Sequence, residues 1–175
     1  MKKWTVHKFG GSSLATADLY RRVGRILSER DDERKAVVVS AMGGVTDRLI
    51  KLVESARDRD SAYRHDIREL RGHIFDIIDD LLPASRSESL KSRLKDDFHD
   101  IEDILRALWL LGTSPGTAHD LISGYGELWS AQLLAAHMAA QGEPVDWLDA
   151  RDVLTVRRGE LGPVVDRERS GPEVE

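Results

Sequence analysis

The chain of 175 residues is 41% hydrophobic and 33% charged, with a formal net charge of −5 at pH 7. This length suffices for one domain with a hydrophobic core, and the composition excludes the disordered and fibrous classes. An acidic balance with scattered basic residues argues against nucleic acid as a partner, and the lack of cysteine excludes disulfides and thiolate zinc sites. No apolar run is long enough for a membrane span, so we expect no membrane partner and a cytoplasmic location.

The first predicted strand ends at Lys8 and leads through Gly10-Gly11-Ser12-Ser13 into a helix. Glycines let the backbone turn tightly and bring bare N–H groups to a ligand, and the positive end of the helix favours an anion such as phosphate. A lysine at this place could neutralise charge on a transferring phosphoryl group. The order differs from the Walker phosphate loop, in which the lysine follows the glycines, and a plain tight turn is the alternative.

A strand–helix–strand unit accounts for the next residues. Apolar residues at helical spacing predict a helix over about 16–30, and the β-branched run at 36–41 predicts a strand that is buried on both faces. Such a unit places the two strands parallel. The second strand ends in another glycine turn, Gly43-Gly44, ahead of a helix. Two neighbouring strands therefore carry glycine turns at the sheet edge where open α/β sheets bind ligands.

Residues 61–111 show two long apolar stripes at helical spacing, interrupted at Pro83. They predict a helical hairpin, inserted at about 58–112. Its acidic clusters alternate with basic residues and indicate solvated helix faces, so no protein metal site is predicted. The six histidines are dispersed and are expected at the surface or as helix caps.

The rest of the chain is less regular in pattern. Gly124 and Gly126 predict a helix break that presents Glu127 at the start of a new helix, with Gly142 as its stop. Residues 144–149 predict a third strand, followed by a short helix or loop. Residues 156–175 are charged, contain glycine and proline, and are expected to form a loop or a frayed end.

Three separated motifs occur in order: KFGGSS at 8–13, VVSAMGGVTD at 38–47 and GYGELWSA at 124–131. With the helical insertion between the second and the third, the chain resembles the N-terminal part of the aspartokinases, of the amino acid kinase superfamily. The resemblance implies an α/β fold, the N-terminal part of an αβα sandwich with parallel strands and a helical-hairpin insertion. Residues 1–155 would form this substrate-side part, and 156–175 its charged end.

The implied activity is the ATP-dependent phosphorylation of the side-chain carboxylate of L-aspartate to 4-phospho-L-aspartate, the first step towards lysine, threonine and methionine. ATP and Mg²⁺ are the implied cofactors, and a homo-oligomer is expected. By the same resemblance, Lys8 would stabilise charge on the transferring phosphoryl group. Gly10, Gly11 and Ser12 would line the phosphate site.

For the amino acid, the resemblance implies that Ser40 and Ala41 lie beside the substrate. Thr46 would hold the carboxylate of aspartate, and Glu127 would meet its ammonium group, as charge complementarity requires. The later half of an aspartokinase domain carries most of the nucleotide pocket, so we expect these residues alone to have negligible kinase activity. The full protein would be a single kinase or one fused to homoserine dehydrogenase or diaminopimelate decarboxylase.

Two other interpretations stay open on the sequence. One is another amino acid kinase, acting on glutamate, N-acetylglutamate or a nucleotide; the long insertion and the motif around Glu127 favour aspartate instead. The other is a binding or assembly module without catalysis, in which the glycine turns are structural and the hairpin docks a partner.

Overall fold

A computed structural model describes residues 3–160 and 162–174, and its helices and strands fall into two compact units. The first unit ends at Val145 and the second starts at Asp146. In chain order the elements are β1 (Trp4–Phe9), a 3₁₀ turn (Gly11–Ser13), α1 (Ala17–Ser28), β2 (Arg34–Val39), α2 (Val45–Arg57), α3 (Tyr63–Leu81), α4 (Ala84–Leu111), α5 (Gly116–Ala140), α6 (Ala150–Val153), β3 (Val156–Gly159), β4 (Gly162–Val165) and α7 (Arg167–Val174). Met1, Lys2, Leu161 and Glu175, which fall in the predicted domain ranges, lie outside the described residues.

The predicted strand–helix–strand unit is confirmed. β1 and β2 pair in parallel, from Trp4 opposite Arg34 to Phe9 opposite Val39. Helix α1 between them begins at Thr16, whose hydroxyl accepts the Leu19 N–H at 3.4 Å and so satisfies a free donor of the first turn.

The prediction that β2 is covered on both faces is wrong for the described residues. Val37 and Val38 are 38% and 51% exposed, and β1 is the only strand that pairs with β2 within residues 3–160 and 162–174. The run of valines reflects strand propensity, which does not by itself say how many layers cover the strand.

The helical hairpin is confirmed as α3 and α4, joined by Leu82 and Pro83. Both predicted apolar stripes are buried where the two helices pack on each other and on α2. Carboxylates of the outer faces pair with basic residues: the Asp79 carboxylate lies 2.8 Å from the Lys91 amine. These pairs fit the prediction of a solvated, charged exterior.

Helix α5 is continuous from Gly116 to Ala140, so the predicted break before Glu127 is wrong. A Cβ built on Gly126 would lie only 2.8 Å from the Ala41 Cβ and 3.4 Å from Cγ1 of Val45. The glycine is thus needed for a close approach of α5 to the start of α2 and not for a turn in the chain. The predicted stop is confirmed, since Gly142 has a left-handed φ of 84° just after the helix.

The predicted third strand at 144–149 is absent from the structure. These residues have no regular hydrogen-bond ladder, and the chain enters α6 at Asp149, whose side chain accepts the Arg151 N–H at 2.9 Å. The guanidinium of Arg151, 2.6 Å from the same carboxylate, lowers the pKa of Asp149. Of the short helix or loop predicted after this point, the structure shows the helix, α6.

The predicted loop or frayed end at 156–175 is also wrong. β3 and β4 form an antiparallel hairpin, with Val156 opposite Val165 and Gly159 opposite Gly162, and α7 follows. Two glycines with two residues between them were the available signal for a hairpin. Within this second unit, the Thr155 N–H donates to the hydroxyl of Ser170 at 2.9 Å.

None of the helices in residues 3–160 and 162–174 combines the length and the apolar character needed to cross a bilayer.

His137 of α5 departs from the expectation that the histidines are exposed. It is 3% exposed, and its Nε2 atom would lie 3.0 Å from a Cβ on Gly24 of α1. Burial, and secondarily the positive charge of Arg21, lower the pKa of His137.

We predict that replacing Gly126 by alanine destabilises the first unit by about 1–3 kcal/mol, because the new methyl group overlaps the Ala41 side chain. Gly124→Ala is the matched control in the same helix. Nothing lies within 4 Å of its Cβ position, so this change should stabilise by about 0.5–1 kcal/mol through helix propensity. Thermal denaturation of the two variants measures the contrast, and equal shifts would refute the close-packing explanation.

A second prediction concerns pH and stability. Because the pKa of His137 is lower in the folded chain than in the unfolded chain, the unfolded state binds more protons at acidic pH. Stability present above the ordinary histidine pKa of about 6.5 is therefore lost as the pH falls through the folded-state pKa. Denaturation at pH 7.5 and pH 5 should show a smaller loss in His137→Gln than in the parent. The matched substitution His73→Gln, at an exposed position of α3, is the control for the change of residue type.

Candidate functional site

The carboxyl ends of β1 and β2 lie side by side, as predicted. Phe9 pairs with Val39, and the Ser40 N–H donates to the Phe9 carbonyl at 3.0 Å, which continues the pairing one residue beyond β2. The two glycine turns therefore start from neighbouring points of the same sheet edge. This is the edge at which parallel α/β sheets bind ligands.

The first turn is a single 3₁₀ turn held by the Ser13 N–H, which donates to the Gly10 carbonyl at 2.9 Å. The side chain of Lys8 lies over this turn: a Cβ on Gly10 would be 3.7 Å from the Lys8 Nζ atom. Lys8 is exposed, and no carboxylate pairs with it among the described residues. Its charge is thus available to an incoming anion.

The two turns are packed against each other at their glycines. A Cβ on Gly11 would lie 2.9 Å from the Ala41 carbonyl oxygen, and one on Gly43 only 2.7 Å from the Ala15 Cβ. Any side chain at Gly11 or Gly43 would force the turns apart. Gly44, with a φ of 79°, then starts α2 in a conformation that other residues rarely adopt.

Helix α5 brings Glu127 to the second turn. The Glu127 Oε1 atom accepts the Ala41 N–H at 3.3 Å, and the side chain is half-buried. No lysine, arginine or histidine forms an ion pair with Glu127 in the part of the chain that the structure describes. A half-buried carboxylate with one weak hydrogen bond is suited to a cationic group of a ligand.

Three predicted residues are placed on the same segments without contacting the charged pair. Ser12 is exposed in the first turn, Ser40 is half-buried after β2, and Thr46 is half-buried in the first turn of α2. Within the described residues no hydrogen bond joins their side chains to Lys8 or Glu127. The structure thus brings Gly11 and Glu127 into contact with Ala41, and it places Lys8 over Gly10. Ser12, Ser40 and Thr46 remain candidates for lining the site.

Ala41 is the meeting point of the site. Its carbonyl oxygen faces Gly11, its Cβ faces Gly126 and its N–H donates to Glu127. The Lys8 amine over the first turn and the Glu127 carboxylate at the second turn are thus both positioned by segments that pack on Ala41. Such an arrangement can hold a zwitterionic or amino-bearing acceptor beside an anion.

Sequence reasoning missed the residues that hold α5 in place. Trp129, which is fully buried, stacks on Phe98 of α4 with ring centroids 4.6 Å apart, and its N–H donates to the Asp97 carboxylate at 2.8 Å. The hydroxyls of Tyr20 and Ser130 hydrogen-bond at 2.7 Å inside the core. These partners are far apart in sequence, so no local pattern could have paired them.

No protein metal centre is found within residues 3–160 and 162–174: no three histidine or acidic side chains come together as ligands there. The glycines, in contrast, form a cradle that a Cβ would fill, with a lysine amine above it. This cradle fits a phosphate group, and a metal ion that accompanies the phosphate would be held chiefly by phosphate oxygens.

Comparison with known proteins connects this geometry to a family. The family model described as the amino acid kinase family matches residues 3–171. The chain is 40% identical over 154 residues to the bifunctional aspartokinase/homoserine dehydrogenase 1 of Arabidopsis thaliana, a match that covers 87% of the chain and 17% of the relative. It is 38% identical over 169 residues to the bifunctional aspartokinase/homoserine dehydrogenase 2 of Escherichia coli, covering 95% of the chain and 20% of the relative. The chain therefore spans about a fifth of the length of these curated relatives.

Solved structures show the same fold. The aspartokinase III of E. coli in complex with aspartate and ADP superposes with a TM-score of 0.83 at 23% identity, over 98% of this chain and 37% of that one. The same enzyme in complex with lysine and aspartate gives a TM-score of 0.82 at 22% identity, over 97% of this chain and 36% of that one. The predicted α/β aspartokinase fold is thereby confirmed, and from the match over residues 3–171 the chain belongs to the amino acid kinase family.

Proposed function

We propose that residues 1–155 form the substrate-side part of an aspartate kinase, which transfers the γ-phosphoryl group of ATP to the side-chain carboxylate of L-aspartate. The observation that carries the proposal is the double contact of Ala41: its carbonyl oxygen faces Gly11 of the turn over which Lys8 lies, and its N–H donates to Glu127. The names of the relatives support it, since both curated relatives described above are bifunctional aspartokinases.

On the phosphate side, the proposed contacts come from the first turn. Lys8 stabilises the negative charge that spreads over the transferring phosphoryl oxygens, and Gly10 and Gly11 let the backbone N–H groups approach the phosphates. Ser12, exposed in the same turn, adds a hydroxyl donor. Magnesium supplies charge neutralisation on the phosphates when it is bound with the nucleotide.

On the amino acid side, the proposed contacts come from the second turn and α5. Glu127 receives the ammonium group of aspartate, Ser40 and Ala41 lie beside the substrate, and Thr46 donates its hydroxyl to a carboxylate. The Ala41 N–H already holds one oxygen of Glu127, so the other oxygen can turn to the ligand. Thr46, in the first turn of α2, also benefits from the positive end of that helix.

The reaction needs no covalent enzyme intermediate. An oxygen of the aspartate side chain forms a bond to the γ-phosphorus, the bond from that phosphorus to the bridging oxygen breaks, and ADP leaves with the electron pair. The products are 4-phospho-L-aspartate and ADP. The contribution of these residues is positioning and electrostatic stabilisation.

Several wider features belong to the same proposal. The product enters lysine, threonine and methionine synthesis, and the enzyme is a cytoplasmic homo-oligomer. It is fused to homoserine dehydrogenase, a fusion that the names of the two curated relatives state for those proteins. The remainder of the nucleotide pocket would come from chain beyond these residues, so the 175-residue chain alone would have negligible kinase activity.

We predict that Lys8→Met in the full-length enzyme lowers kcat/KM by about 10²–10³, because a preorganised charge on the phosphoryl group is lost. Coupled assays of ADP release measure the effect, and circular dichroism checks the fold. Lys51→Met is the matched control, since Lys51 lies on α2 and pairs with Asp66 at 3.3 Å. A Lys8→Met enzyme within twofold of the parent would refute the role given to Lys8.

We also predict that Glu127→Gln raises the KM for L-aspartate by about 10–100-fold and leaves the KM for ATP unchanged, because a charged hydrogen bond to the ammonium group is lost. Initial rates at varied aspartate and at varied ATP separate the two constants. Glu143→Gln, which alters a surface hydrogen bond to Ser28 near the end of α5, should change neither constant. If Glu127→Gln changed the KM for L-aspartate and the KM for ATP equally, the proposal that Glu127 binds the amino acid would be wrong.

A further inference from the structure

The residues that follow Glu127 on α5 attach this helix to the helical hairpin. Trp129 is fully buried, and its indole stacks on Phe98 of α4 at 4.6 Å with an interplanar angle of 27°. Its Nε1–H group donates to Oδ2 of Asp97 at 2.8 Å. A stack alone allows the rings to slide over each other, whereas the hydrogen bond to a charged acceptor fixes the indole along and around the helix axis.

Glu127 and Trp129 leave the helix on opposite sides. Two residues correspond to about 200° of rotation and about 3 Å of rise, so α5 is held between the second glycine turn on one side and α4 on the other. The hydrogen bond between Glu127 and Ala41 would not survive a large displacement of α5. The Glu127 oxygen already lies 3.3 Å from the Ala41 nitrogen, near the long limit of a hydrogen bond. A small rotation of α5 at Trp129 would therefore move Glu127 out of reach.

Other contacts keep α5 folded when this one is lost. Ser130 bonds to the buried hydroxyl of Tyr20 on α1 at 2.7 Å, and the close contact of Gly126 with Ala41 persists. A second polar contact to α4, between Arg93 and Gln132, is 3.5 Å long and weak. Loss of the bond between Asp97 and Trp129 should thus loosen the orientation of α5 without unfolding it.

We propose that Asp97 of α4 is a positioning residue for the amino acid site: by holding Trp129, it sets the position of Glu127 and so the affinity for the substrate ammonium group. The proposal rests on the function proposed above. It assigns the helical hairpin a task in the reaction, as the support of the helix that carries Glu127.

The test compares Asp97→Leu with Asp97→Asn in the full-length enzyme. The leucine variant removes the acceptor and keeps the size, whereas the asparagine variant keeps an oxygen that accepts the indole N–H. Asp97→Leu should raise the KM for L-aspartate by about tenfold, with kcat and the KM for ATP within twofold of the parent, because a contact made equally in the ground and transition states is weakened. Asp97→Asn should restore the parent KM.

Trp129→Phe gives an independent route to the same loss, since it deletes the donor and retains a ring for the stack. It should raise the KM for aspartate as Asp97→Leu does, and the double variant should show no further increase, because both changes break one interaction. Asp79→Leu is the matched control: this exposed carboxylate pairs with Lys91 on the outer face of the hairpin, so the variant should leave the KM for aspartate unchanged.

The outcomes separate this inference from the proposed function. If Glu127→Gln leaves the KM for aspartate unchanged, the function assigned to Glu127 fails and the inference fails with it. If Glu127→Gln raises that KM and Asp97→Leu does not, only the inference is overturned. An equal loss in Asp97→Asn and Asp97→Leu, or a rise in KM in Asp79→Leu, would also overturn it. If Asp97→Leu does not fold, the comparison of Asp97→Asn and Trp129→Phe with the parent decides the question.

Discussion

The contact between Gly126 and Ala41 is the constraint on which the candidate site depends. A helix with any other residue at this position would have to stand further from the start of α2, since a Cβ there would lie 2.8 Å from the Ala41 Cβ. The close approach lets Glu127 reach the Ala41 N–H from the next position of the helix. The cost of a glycine inside a helix is about 0.5–1 kcal/mol, and the packing and the hydrogen bond offset it.

The same alanine joins the parts of the site that carry opposite charge. Its carbonyl oxygen faces Gly11 of the first turn, next to Gly10, over which Lys8 lies. The proposed phosphate contacts and the proposed amino acid contacts are therefore built on one short segment. Charge stabilisation in phosphoryl transfer depends on groups that need not move during the reaction. Two turns packed at their glycines and a helix held from behind by Trp129 form such a rigid support.

The helical hairpin is the part whose role depends most on packing. Its exterior carries ion pairs of little energetic weight, whereas its inner face supplies Phe98 and Asp97 to the helix that bears Glu127. Through these contacts with α5, the inserted hairpin is connected to the sheet edge at which we expect the substrates to bind. The hydroxyl pair of Tyr20 and Ser130 makes a corresponding connection to α1, which follows the first turn.

Sequence reasoning succeeded where the information is local and failed where it depends on neighbours. It predicted the parallel strand–helix–strand unit, both glycine turns and the hairpin, because hydrophobic period and turn chemistry are properties of short segments. It predicted a helix break at Gly126, because a glycine that allows a turn and a glycine that allows a close contact look the same in sequence. It predicted a strand at 144–149 that has no ladder, because an extended segment becomes a strand only when another strand pairs with it.

The sequence by itself determined which residues are candidates for the chemistry: the lysine and glycines at the end of β1, the glycines and threonine after β2, and the acid of the third motif. Only the tertiary structure decided how they meet. It placed both Gly11 and Glu127 against Ala41. It also showed that Asp97 and Trp129, 32 positions apart, form a hydrogen bond that attaches α5 to α4. The physical reason is that contacts between distant segments are selected by packing and directional hydrogen bonds, which leave no periodic trace along the chain.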